Sequence, residues 1–462
     1  MTARRLGPGG TGGTRFRLFA VYAEGMAPET VDITLPPGFI GPGPSDDVLF
    51  VAHAADKPAP YDPPGYAPPY TGRLLKPALP GRDGHFDHIG LDTPQFLAAH
   101  LYGAMRHTLD IWQHYIGHRV VWWHAAQYPR MELIPLLDWN NAQSGPGFME
   151  TGLYRGPDGA TQPYALNFDV IAHETGHQIL FSQMGVPDPE RLGVPFLAFH
   201  ESFSDLVALI GVMHFPSVRT RLLAQTQGNL YVLNLVNRIG ETSAHSQIRL
   251  ASNTATMDDV AGIALAPDGS WIDPSGQGRN QHAVAGPLTG AVFDILVEVY
   301  QDALVASGLI APDDDARGWT RAEVDAAFAD LHAQSARALA RFDDGFTAAI
   351  IHARDTVGRA MAHVIGCVRP DGLTFDEVAA RLIEGILQQG NGALLPAMLG
   401  HFLWRGIDPR PFLSFVTQPR AMRRADRQYR VQVTPWRARC ACHPAGSRRA
   451  AELIRASHAA RQ

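Results

Sequence analysis

Residues 168–185 read FDVIAHETGHQILFSQMG. Apolar residues at 168, 170, 171, 179, 180 and 181 recur at helical spacing, and Gly185 and Pro187 close the run, so the stretch predicts a buried helix. Within it His173 and His177 stand four residues apart. On a helix that spacing puts both imidazoles on one face, one turn apart, where they can share a metal ion. Glu174 leans toward the same side without having to bind the ion, which leaves it available as a base. A catalytic zinc wants a third protein ligand and an open position for water. Glu201, 24 residues past His177, lies in a second cluster, HESFSD at 200–205, and is the candidate ligand.

That cluster sits in FLAFHESFSDLVALIGVMH, an apolar segment ended by Pro216 that predicts a second buried helix. Glu201 and Asp205 are again four apart. An unpaired carboxylate on such a segment is costly, so each asks for a cationic partner. A metal would answer Glu201, and a ligand histidine, oriented from behind, would answer Asp205. The plainer alternative is two histidines in an apolar helix, satisfied by backbone or carboxylate groups.

The 462 residues (50.3 kDa) exceed a single minimal core and suggest two or three domains. With 45% hydrophobic and 18% charged residues, the composition is that of a globular protein rather than a disordered one. A net charge of -6 argues against a dedicated nucleic-acid binder. Arginines 420, 423, 424, 427, 430, 437 and 439 make the tail basic; few aromatics are interleaved with them, so they read as solvated surface. Cys367, Cys440 and Cys442 cannot build a disulfide framework. Cys440, Cys442 and His443 could ligate a small metal site, but no matching pair lies nearby, and incidental cysteines are the simpler reading. The N-terminal stretch MTARRLGPGGTGGTRF runs into glycines where a signal peptide has its apolar core, and no segment approaches ~18 uninterrupted apolar residues. A cytoplasmic chain with no membrane partner is the expectation.

The pattern along the chain predicts an α+β protein. Residues 1–14 read as disordered, and 15–90 as a small β-rich extension whose short apolar runs give way to proline- and glycine-rich linker at 54–90. Residues 91–215 form an N-terminal catalytic lobe. It opens with a helix started by Asp92 or Thr93 before Pro94, continues through strands at HRVVWWHA and MELIPLL, and then reaches loops or edge strands over 138–170. Residues 216–415 form a mainly helical C-terminal lobe, with one long helix expected to follow Pro287, and 416–462 are the basic tail.

Taken together, the motifs resemble the thermolysin-like gluzincin family of zinc metallopeptidases, which carry HExxH and then ExxxD some 20 or more residues later. The approach DVIAHETGH is similar to the family's DVVAHE, and NNAQSGPGFMETG at 140–152 resembles its edge-strand segment. QIRLASN at 247–253 and QHAVAGPLTGAVFD from 281 resemble two later blocks, in the family's order, so the resemblance covers roughly 90–310. It implies a thermolysin-like zincin catalytic domain. Its metal ligands would be His173, His177 and Glu201, its base Glu174, and its orienting partner Asp205. Arg249 and His282 would stabilise the oxyanion, while Asn141 and the Ala142 backbone would hold an extended peptide or protein substrate.

The chain also departs from the family. Gln143 and Ser144 replace an aromatic pair, which makes the substrate edge more polar; no tyrosine lies between His177 and Glu201; and Gln277 stands where an aspartate usually backs the late histidine. Val212 occupies a calcium-ligand position, which argues against the family's double calcium site while leaving calcium itself open. The function that follows is zinc-dependent peptide hydrolysis, with endopeptidase action as the default. The rivals are a zinc aminopeptidase or amidase, and a zinc-containing domain that binds protein or polysaccharide without turnover.

Overall fold

The computed structural model describes residues 12–413, apart from 23, 24, 64, 157, 158, 160, 189–191, 231–233, 244, 245, 267–269, 280 and 313–325. Along 239–249 and at 279 and 281 only the backbone is described. Most of the 1–14 segment and the basic tail, with Cys440, Cys442 and His443, lie outside the described residues. The architecture is α+β: an N-terminal region rich in strands followed by a mainly helical C-terminal region.

Two antiparallel strands, β1 (Thr14–Leu18) and β2 (Glu29–Ile33), open the described chain. The next strand, β3 (Leu49–Val51), does not extend that pair. It runs parallel to β4 (Met131–Ile134) in a four-stranded sheet of order β3-β4-β6-β5, where β5 is Ala142–Gly145 and β6 is Phe148–Thr151. The β5–β6 hairpin turns at Pro146-Gly147. Gly147 has φ +81, and a Cβ there would lie 2.3 Å from the Tyr128 ring, so both the turn and the packing require glycine. A small pair, β7 (Leu153–Arg155) and β8 (Thr161–Pro163), follows.

Helix α1 (Pro94–Ile116) starts as its sequence signals: Thr93 caps it, accepting from the Phe96 amide, and Pro94 fills the first turn. Its His100 is tied to β1's end, because Nε2 accepts the Phe19 amide at 2.9 Å. Burial holds that imidazole neutral and pushes its pKa down to about 4. The stretch 118–125, expected as a strand, is not one. Side chains, rather than a neighbouring strand, hold its backbone and rings: the Trp123 amide donates to Ser182 Oγ, Trp123 Nε1 to Gln178 Oε1, and Trp122 Nε1 to the Val48 carbonyl.

The motif helix α2 (Phe168–Met184) and α3 (Val194–Val212) pack against each other, and α3 packs in turn on α5 (Gln281–Ala306). Between them α4 (Pro216–Thr226) begins at Pro216, and the strands β9 (Arg238–Ser243) and β10 (Ser246–Leu250) pair as a hairpin. Three two-residue strands, β11 (Ala264–Leu265), β12 (Trp271–Ile272) and β13 (Gly278–Arg279), precede α5. The helical remainder comprises α6 (Phe328–Cys367), kinked at Phe342, α7 (Phe375–Leu387) and α8 (Leu395–Trp404). Val194–Val212 and His282–Ala306 are long and apolar enough to cross a membrane, yet most of each is buried inside the protein, as core helices are.

One correction bears on the site. The helix expected to follow Pro287 begins at Gln281, with Pro287 inside it, so His282 lies in its first turn. Proline favours the start of a helix but does not always mark it. Here Asn253 reaches in from a distant loop and donates to the Gly286 carbonyl at 3.1 Å, a tertiary contact on the turn ahead of the proline.

Candidate metal centre

The two buried helices bring the HExxH and HESFSD side chains together. His173 Nε2 and His177 Nε2 lie 3.0 Å apart, and Glu201 Oε2 lies 3.4 Å from the first and 3.9 Å from the second. Among the described residues, His173, His177 and Glu201 thus offer ligand atoms that all fall within 4.8 Å of one another. All three side chains are buried.

The surroundings turn the rings so that these nitrogens converge. Asp205 Oδ1 is 2.9 Å from His173 Nδ1, and Ser204 Oγ is 2.8 Å from His177 Nδ1. A carboxylate can only accept, so His173 carries its proton on Nδ1 and presents the Nε2 lone pair inward. With a proton on His177 Nδ1 as well, two lone pairs would face each other at 3.0 Å beside a carboxylate oxygen. That arrangement asks for a cation. Two imidazoles and a carboxylate suit zinc or a similar divalent metal, and three protein ligands leave a position open. The cluster is therefore suited to hold a metal ion, with the HExxH spacing of a zincin-type site.

Burial opposes the charge on Glu201, but His282, His177 and His173 outweigh it and hold the carboxyl well below the usual range. His282 Nδ1 lies 3.0 Å from Glu201 Oε2, so α5 delivers this histidine to the carboxylate of α3. The Arg249 backbone belongs to β10; its side chain lies outside the described residues.

The β5 strand is where the sheet meets the motif helix. As the end strand of its sheet, it carries Ala142, with Asn141 immediately before it; both are buried in this conformation. Successive residues of a strand face opposite ways. Ser144 faces α2, donating to the Glu174 carbonyl at 3.0 Å, while Gln143 faces away and donates to the Tyr61 carbonyl and to Glu150 Oε1. The polar pair expected to line the substrate edge is thus spent on internal bonds.

Ser144 was expected only as part of a polar substrate edge, and two contributors were not singled out from the sequence at all: Ser204, and His200, whose ring stacks on His177 at 3.9 Å. A signal for these two was present, since His200 and Ser204 repeat, one residue earlier, the spacing of Glu201 and Asp205.

No protein-family model matches the chain, and no curated protein matches it in sequence.

Proposed function

We propose that the protein is a zinc-dependent peptidase of the thermolysin-like type, cleaving internal bonds of an extended peptide. The observation that carries this reading is the convergence of His173 Nε2, His177 Nε2 and the Glu201 carboxylate within one buried cluster. A zinc ion held by these three groups would supply Lewis acidity and a water of lowered pKa. Glu174 takes the proton from the attacking water as the new C–O bond forms, and delivers it to the amine as the C–N bond breaks. Arg249 and His282 donate hydrogen bonds to the carbonyl oxygen as it becomes negative. Asp205 holds His173 in its ligating tautomer. Asn141 and the Ala142 backbone align the substrate along β5, whose position at the sheet's end suits strand addition.

A second reading has one observation in its favour. Because Asn141 and Ala142 are buried, a small amide or a free N-terminus would fit with less rearrangement than a long chain. A library of blocked peptides, run beside free-N-terminal peptides and simple amides with zinc-replete protein, separates the two. Cleavage within blocked peptides is expected. Cleavage confined to terminal residues or small amides would replace endopeptidase action with the second reading, and no cleavage in any set would point to a non-catalytic zinc domain.

A further inference from the structure

We propose that His200 and Ser204 form a second positioning pair that fixes His177, as Glu201 and Asp205 address His173. The proposal rests on the metal-site reading above. On α3 the two pairs interleave, each with its members four residues and one turn apart, so neighbouring stripes of one helix meet the two histidines of α2. Ser204 Oγ lies 2.8 Å from His177 Nδ1, and the His200 ring covers the His177 face at 3.9 Å and 29°. Phe181, 4.7 Å away, and Phe196 back the His200 ring, so the stack has little room to slide.

Gly176 makes the approach possible. A Cβ there would lie 2.9 Å from Ser204 Cα and 3.1 Å from its Oγ, so a larger residue would push α3 away from the motif helix. With Ser204 accepting from Nδ1–H, the Nε2 lone pair of His177 stays aimed at the site. Partners of this kind typically change metal affinity about 10- to 100-fold when removed.

The test is zinc titration of metal-free wild type, Ser204→Ala, His200→Phe and His200→Ala against a competing chelator, beside thermal unfolding of each metal-free protein. Ser204→Ala is expected to weaken zinc binding about 10- to 100-fold with unchanged metal-free unfolding. His200→Phe, which keeps a stacked ring, should bind more tightly than His200→Ala. Wild-type affinity in Ser204→Ala would overturn the pair while leaving the metal site standing. A wild type that binds no zinc would overturn both. Should Ser204→Ala fail to fold, ring-nitrogen NMR of zinc-loaded wild type decides: zinc on Nε2 and a proton on Nδ1 of His177 are expected, and zinc on Nδ1 would end the proposal.

Discussion

Glu174→Gln is expected to abolish most hydrolysis while leaving zinc content and folding intact. The amide has nearly the carboxylate's shape, and Glu174 is buried on a helix whose carbonyl at that residue is bonded by Ser144. Its packing should therefore survive the change. What the amide cannot do is accept a proton from water. Loss of a general base costs roughly 10²–10⁴-fold, and more where the same group orients the nucleophile. Turnover of the best peptide in the library, measured together with zinc content and melting temperature, checks this. Activity within a few-fold of wild type, at full zinc loading, would remove Glu174 from the chemistry.

The largest effect on stability is expected from Lys57→Met. Lys57 Nζ lies 2.8 Å from Glu150 Oε2, and both side chains are fully buried. The ammonium also sits 3.5 Å from the Tyr61 ring centroid and 4.4 Å from that of Tyr66. The Tyr61 hydroxyl donates to Glu132, and the Tyr61 amide and Gln143 side chain to Glu150. This network braces the β5–β6 hairpin on the face away from α2, while Ser144 ties the other face to Glu174.

Methionine fills the space but leaves Glu150 without its cation, and removing one partner of a buried pair costs about 3–5 kcal/mol. Burial already pushes the Glu150 carboxyl up against the pull of Lys57. Without the lysine it should rise further, so its folded pKa stands above the ordinary value near 4.5. A group with a raised folded pKa stabilises the fold below its unfolded pKa and loses that contribution as pH climbs through the folded one. The deficit of Lys57→Met should accordingly shrink as pH falls toward that value. Denaturant unfolding at neutral and at acidic pH measures both effects. A loss below about 1 kcal/mol at neutral pH would show that the pair is not worth what its burial implies.

The helices of the site were legible because their signals are local. Thr93-Pro94 marks the start of α1, Gly185 marks the end of α2, and apolar spacing marks α2 and α3 as buried. The two ligand histidines followed from the same spacing, since residues four apart on a helix share a face, whereas Glu201 was marked by the second acidic cluster and by the need for a third ligand. What stayed hidden depends on distant partners. HRVVWWHA has a strand's composition, but its tryptophans bond to Val48 and Gln178, so it docks without pairing. Pro287 reads locally as a helix start, and nothing near it announces that the helix already begins at Gln281. Lys57 lay in a stretch read only as linker, because its carboxylate is 93 residues away on β6. Ser204 drew no notice because a serine in a helix is usually unremarkable; only the approach of α2 at Gly176 gives it a task.

Metal analysis of protein purified without added zinc, set beside His173→Ala, His177→Ala and Glu201→Ala, decides whether these three side chains hold a zinc ion. One tightly held zinc per wild-type chain, strongly reduced in each variant, is the predicted result. Zinc absent from the wild type after saturation and desalting, or full occupancy in Glu201→Ala, would contradict the site as assigned.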